Sequence, residues 1–170
     1  MFVFESDKNS LFLGHGLVDQ LKGMCSIYFF EKKRQIPFRI NYVEPFNLTF
    51  FLQPNLYDWC VSEEEISYNC RTSKAIALRV NKIKFYLHKA MLYYYSKRYS
   101  QVHLYTIAML FDNYFKQNFN ELFKPSPFLI DSIDHQLCAI GGDYVSATFR
   151  FQALLGDFYE GELYLFGIKS

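Results

Sequence analysis

Gly14-His15-Gly16-Leu17-Val18-Asp19-Gln20-Leu21-Lys22-Gly23 is the stretch on which the fold turns. Just upstream, Phe2-Val3-Phe4 is β-prone and predicts a strand at the extreme N-terminus. Glycines 14 and 16 end that pattern, and Asp19 stands at an N-cap or first-turn position of a helix. Leu21, Met24, Cys25 and Tyr28 then follow at helical spacing, and Glu31-Lys32-Lys33-Arg34 closes the segment with the positive charge that a helix C-terminus favours. Beyond Pro37, the alternation of Phe38, Ile40 and Tyr42 supplies a second strand. Strand, glycine loop, helix and strand make a βαβ unit with a right-handed crossover, the signature of an α/β fold.

Downstream, the run from Glu44-Pro45-Phe46-Asn47-Leu48 to Gln53-Pro54-Asn55-Leu56-Tyr57-Asp58-Trp59 carries two prolines and polar turn residues, and reads as a structured loop with room for a short helix. Glu63-Glu64-Glu65 reads as the solvated first turn of a helix. From about Ser73 to Tyr99 there is no Gly or Pro, and Ile83, Leu87, Ala90 and Tyr94 fall at i, i+4, i+7 and i+11, which predicts one long helix. A second is expected from His103 to Phe119, before Lys124-Pro125-Ser126-Pro127 forces a break. Gly141-Gly142 is the last strong punctuation, and Tyr144 to Phe151 follows as an apolar strand that delivers Arg150 to a turn at Gly156-Asp157.

The 170 residues suit one domain, or one domain and the opening elements of a second. An apolar fraction of 51% marks a chain that folds around a core. Eighteen basic against seventeen acidic residues leave a net charge of +1, so any anion site must be local. Cys25, Cys60, Cys70 and Cys138 show no Cys-x-x-Cys spacing and read as reduced thiols, three of them in apolar surroundings. The N-terminus lacks the features of a signal peptide, and no apolar run approaches the ~18 residues of a membrane span. A cytoplasmic location is expected. His15, His88, His103 and His135 are scattered without metal-ligand spacing, so neither metal nor cofactor is expected. Lys82, Lys84, Lys89, Lys97 and Arg98 interleave with Phe85, Tyr86, Tyr93 and Tyr94. Such a helix either lies peripherally on the anionic inner face of a membrane or is partly buried with ordinary surface lysines. Nucleic acid is not an expected partner, for want of a binding motif.

Each motif has two readings. Unpaired N–H groups at a glycine turn and helix start bind a phosphate or carboxylate, while any tight turn also wants glycine for its backbone freedom. Arg150 either forks two N–H bonds onto a phosphate or pairs with an acid such as Asp157. Asp58-Trp59 either stacks and hydrogen-bonds a sugar ring or anchors a loop to the core. His15 either meets an acceptor hydroxyl, as partner or base, or is an ordinary loop residue.

Gly16-Leu17-Val18-Asp19-Gln20-Leu21-Lys22-Gly23 resembles the Gly-Leu-Gly-Asp-Arg-Leu-Lys-Gly loop of nodulation-type fucosyltransferases and their bacterial surface-polysaccharide relatives. It is also similar to the Gly-Leu-Gly-Asn-Gln loop of bacterial α-1,2-fucosyltransferases. Pro45-Phe46-Asn47-Leu48, Leu52-Gln53-Pro54-Asn55 and Asp58-Trp59 look like the next segment of that group, and Tyr144 to Arg150 like the strand that carries its donor-binding arginine in a His-x-Arg pattern. Val18, Gln20 and Thr148 stand where the family has glycine, arginine and histidine, whereas Arg150 is retained.

The resemblance implies a Rossmann-like parallel sheet with helices, as in the N-terminal domain of a GT-B glycosyltransferase. Residues 1–140 would be its acceptor-side domain, and 141–170 the opening strand and loop of a truncated donor-binding domain. It implies transfer of fucose or a related sugar from a GDP-sugar to a glycan acceptor without a catalytic metal. On that reading Arg150 is catalytic and holds the donor's β-phosphate. Gly14, Gly16, Asp19 and Gln20 join it at the donor, while His15, Asp58 and Trp59 meet the acceptor. With most of the donor half missing, the chain is expected to be inactive alone and to self-associate through the apolar residues after Phe149. The alternative is a non-enzymatic module that binds glycans or a membrane surface.

Overall fold

The computed structural model describes residues 1–6, 16–44, 46–78, 85–107 and 114–141. Strand β1 (Phe2–Glu5), helix α1 (Leu17–Lys32) and strand β2 (Phe38–Asn41) form the expected opening unit. A short 3-10 turn at Leu48–Phe50 and strand β3 (Leu52–Pro54) follow, then a single 3-10 turn at Glu63–Glu65 closed by a capping box with Ser62. Next come β4 (Ser73–Leu78), α2 (Phe85–Arg98), β5 (Gln101–Thr106), α3 (Phe115–Leu122), β6 (Phe123–Pro125) and α4 (Pro127–Ile140). The fold is α/β: among the described residues four parallel strands run in the order β2-β1-β5-β4, flanked by helices, with β3 and β6 paired antiparallel in a separate ribbon.

Two expected helices are corrected. The stretch from Ser73 begins as strand β4, with α2 described over Phe85–Arg98; His103 lies inside strand β5, and α3 is Phe115–Leu122. Absence of Gly and Pro permits strand as well as helix. In β5 the run Val102, His103, Leu104 is buried on both faces of the sheet, so the alternation that reveals a half-exposed strand is missing.

Register places Phe2, Phe4, Phe38, Ile40, Val102 and Leu104 on one face. All are buried there with Met24 and Ile27 of α1. Each such side chain contributes about 1.5–3 kcal/mol by leaving water. Gly23 of α1 packs against the end of β5: a Cβ on Gly23 would collide with the Thr106 carbonyl oxygen and lie 3.0 Å from its carbon. At the far end of α1, Glu121 of α3 accepts from Lys32 Nζ at 2.6 Å and from the Tyr28 hydroxyl at 3.0 Å. Burial works against the Glu121 carboxylate, but these donors prevail and hold its pKa below the usual range.

The segment Tyr57-Asp58-Trp59 seals the outer edge of β2. The Tyr57 hydroxyl accepts from Phe38 N at 2.8 Å and donates to Phe38 O at 3.0 Å, and Ile40 N donates to Trp59 O at 2.8 Å. Trp59 itself is 2% exposed, with its indole N–H donating to Leu122 O at 2.7 Å and its ring edge-on to Phe123. Trp59→Phe should cost about 1–2 kcal/mol, through the lost hydrogen bond and lost volume, in urea-induced unfolding. An unchanged midpoint would contradict this account of the edge.

Pro125-Ser126-Pro127 both ends β6 and starts α4. Ser126 Oγ accepts from Leu129 N at 3.1 Å as an N-cap, and Pro127 occupies the first helical position, where its missing N–H costs nothing. Gly141, at φ +66°, terminates the helix with its N–H on Leu137 O. Met1–Ile133 forms one compact unit; of the second, which begins at Asp134, the described part is the end of α4 and Gly141. Cys25 is buried, its thiol pushed up to about 12 by burial, whereas Cys60, Cys70 and Cys138 are exposed rather than set in apolar surroundings. Among the described residues no helix is long and apolar enough to cross a membrane.

Candidate functional site

Two features lie towards the carboxyl ends of the parallel strands, the edge where open α/β sheets hold ligands, one on each face of the sheet. The first is the start of α1. Gly16 is its N-cap in extended conformation and offers no side chain to the first turn; the N–H groups of Asp19 and Gln20 turn back to Gly16 O. Contact between Gly23 and Thr106 fixes the height of the helix on the sheet. With a rise of 1.5 Å per residue, the first turn then projects about 5–9 Å past the end of β5. Among the described residues no side chain caps this helix start, whose first N–H groups and partial positive charge suit an anion.

The second is a polar group on the sheet face turned away from Phe2 and Phe4. Glu5 closes β1 and is paired in register with Asn41 at the end of β2, and His103 stands opposite Val3 on β5. His103 Nδ1 is 2.6 Å from Glu5 Oε1, and Nε2 is 2.9 Å from Ser67 O. Both ring nitrogens therefore face oxygen acceptors. That pattern needs a proton on Nε2 and another between Nδ1 and the carboxyl. Asn41 Nδ2 donates to Glu5 Oε2 at 2.7 Å, and the Tyr68 hydroxyl donates to Glu5 Oε1 at 3.3 Å. The Tyr68 ring stacks on the imidazole with centroids 4.9 Å apart. Burial of its hydroxyl and the neighbouring Glu5 carboxylate push Tyr68 up to about 12, so it remains a neutral donor.

Glu5 and His103 are almost wholly buried, while Tyr68 is 65% exposed. The pair braces the site from beneath, and Tyr68 is the aromatic surface it holds out to solvent. Glu5→Gln should cost about 1–2 kcal/mol, because the amide can still serve Nδ1 or Asn41 but not every donor that Glu5 accepts from. Thermal unfolding measures the loss, and the imidazole nitrogen shifts in NMR should move with it. An unmoved imidazole signal would show that the two groups do not share a proton.

The residues singled out in the sequence are only partly brought together. Gly16 and Gln20 lie at the start of α1. Asp19 is there too, with its carboxylate 2.8 Å from Lys22 Nζ, where it also favours the positive end of the helix. Asp58 is exposed, its Oδ1 accepting from Cys60 N and its carbonyl from Arg39. Trp59 is corrected: buried in the core, its ring has no free face for a sugar. Gly14, His15 and Arg150, together with the strand Tyr144 to Phe151, lie outside the described residues.

Glu5, Asn41, Tyr68 and His103 were not anticipated. The available signal was an ionisable residue set among apolar neighbours in each of two strands, Glu5 after Phe-Val-Phe and His103 between Val102 and Leu104. Only the register shows that they meet. Among the described residues no group of His, Cys, Asp and Glu is arranged to hold a metal ion. Comparison with protein-family models, with curated proteins and with solved structures gave no match.

Proposed function

We propose that this chain is the acceptor-side part of a GT-B-type glycosyltransferase, similar to the fucosyltransferases of bacterial surface-glycan synthesis. The reaction would move a sugar from a GDP-sugar to a glycan hydroxyl. The observation that carries this reading is the seating of α1 by Gly23 on Thr106, which sets a helix start without a side-chain cap from Gly16 beyond the carboxyl ends of the strands. That is where the quoted Gly16–Gly23 resemblance requires it. Arg150, by the same resemblance, holds the donor's β-phosphate and offsets charge on the leaving group, an electrostatic role that needs no metal. Tyr68 supplies an aromatic face for a sugar ring at this edge, and Asn41, whose amide nitrogen is held by Glu5 and the Tyr68 hydroxyl, supplies its amide oxygen as an acceptor.

Saturation-transfer NMR on the 170-residue chain tests the reading with GDP and with a panel of neutral oligosaccharides. Oligosaccharide protons should receive saturation, and Tyr68→Ala should weaken the effect severalfold with the fold intact. GDP should displace little oligosaccharide, because its main contacts belong to the donor side. Oligosaccharide binding indifferent to Tyr68→Ala, or no binding at all, would overturn the assignment of this edge to an acceptor.

A further inference from the structure

The small net charge conceals a strong segregation. From Ile66 to Phe111 the sequence contains no aspartate or glutamate and eight lysines and arginines, while the rest of the chain holds ten basic and all seventeen acidic residues. Strands β4 and β5 and helix α2 are built from this acid-free segment. On this flank of the sheet the strands and helix therefore contribute basic side chains and no acidic ones, within a nearly neutral molecule.

On α2 the charge coincides with apolar surface. Leu87, Tyr93 and Tyr94 are each more than half exposed, although Leu92 between them and the sheet is buried. Leu87, Ala90, Tyr94 and Lys97 follow one another at i, i+3, i+7 and i+10, so they share one stripe of the helix. Lys97 Nζ sits 5.8 Å from the Tyr93 ring, Arg98 lies over Tyr99 at 5.9 Å, and Lys74 of the edge strand lies over Tyr95 at 5.9 Å. Cations held beside half-exposed tyrosines on an apolar stripe match a bilayer interface, where aromatic rings settle at headgroup depth and lysine and arginine meet lipid phosphates.

We propose that α2, with Lys74 beside it, docks this protein on an anionic lipid surface. Charge complementarity selects the partner, and the exposed Leu87, Tyr93 and Tyr94 distinguish a lipid bilayer from a purely polyanionic partner such as nucleic acid. Docking in this way does not depend on the proposed transferase activity, and its test reads neither sugar nor GDP.

Co-sedimentation of the purified chain with vesicles decides the matter. Vesicles of phosphatidylcholine with about one-third phosphatidylserine should carry the protein into the pellet, and pure phosphatidylcholine should not. Raising the salt should weaken the binding, because the attraction is screened within a Debye length. The double change Lys97→Glu and Arg98→Glu should reduce partitioning at least about tenfold. Tyr93→Ser with Tyr94→Ser should reduce it severalfold while leaving the salt dependence in place. All four side chains are on the exposed side of α2, so circular dichroism should show unchanged folding. Equal partitioning on both vesicle types, indifference to the charge reversal, or retention of a single-stranded oligonucleotide without vesicle binding would each overturn the proposal.

Discussion

Glu31→Gln is expected to stabilise the protein by about 3 kcal/mol at pH 7.5, raising its melting temperature by roughly 8 °C. Glu31 is fully buried in α1, and neither carboxyl oxygen has a hydrogen-bond partner. Burial pushes its pKa up to about 9, with Arg34 and the chain's amino terminus drawing it back only in part. Below about pH 4.5 the carboxyl is protonated in both folded and unfolded chains and costs nothing through ionisation. Between about 4.5 and 9 the unfolded chain releases a proton that the folded one keeps, and each pH unit removes about 1.4 kcal/mol of stability. Above about 9 the loss levels off. The glutamine variant removes this slope, so the two proteins should converge at pH 4 and diverge steadily towards pH 8. Glu31→Met should gain at least as much, since it also removes the polar atoms from the core. Parallel stability curves for Glu31→Gln and the parent from pH 4 to 8 would show that Glu31 is not held neutral.

Gly23→Ala is expected to destabilise by about 2–3 kcal/mol, although the same change on an exposed helix stabilises by about 1 kcal/mol. The reversal comes from the Thr106 carbonyl, a backbone atom that cannot rotate away, and from the Thr106 methyl carbon 3.3 Å from the added Cβ. Relief requires α1 to retreat from β5, which carries the helix start away from the strand ends. Gly23→Ala should therefore lower both the melting temperature and any oligosaccharide or anion affinity at that edge. Gly23→Val should prevent folding at 37 °C. A melting temperature equal to or above the parent's in Gly23→Ala would show that the close approach does not exist in solution.

The opening βαβ unit was legible because each of its parts has its own signal: β-prone Phe2 to Phe4, glycines before α1, basic residues after it, and alternation in β2. The middle of the chain was not. Ser73 to Leu78 and Gln101 to Thr106 contain good residues for either structure, and β5 lies between two strands with both faces covered, so burial erased the period of two. The site was legible in the same uneven way. That Gly16, Asp19 and Gln20 stand at a helix start could be read locally from the glycine pattern, whereas the meeting of Glu5 with His103 spans 98 residues and depends on which strands become neighbours. Trp59 illustrates the converse error. A tryptophan beside an aspartate suits a carbohydrate, but its sequence neighbourhood does not show that Ile40 and Leu122 already occupy its carbonyl and its indole N–H.

The strip from Tyr57 to Trp59 gives the sheet a direction of growth. Along β2 the outward-facing amides of Phe38 and Ile40 are already taken, so no further strand can be added there. At the opposite end β4 pairs, among the described residues, with β5 alone, and its Lys74, Ala75 and Ala77 are exposed. Any strand that lengthens this sheet, from elsewhere in the chain or from a second molecule, must therefore join at β4. Such an addition would extend the sheet from the basic flank, so the surface proposed to meet lipid and the route to a larger sheet would compete for the same side of the molecule.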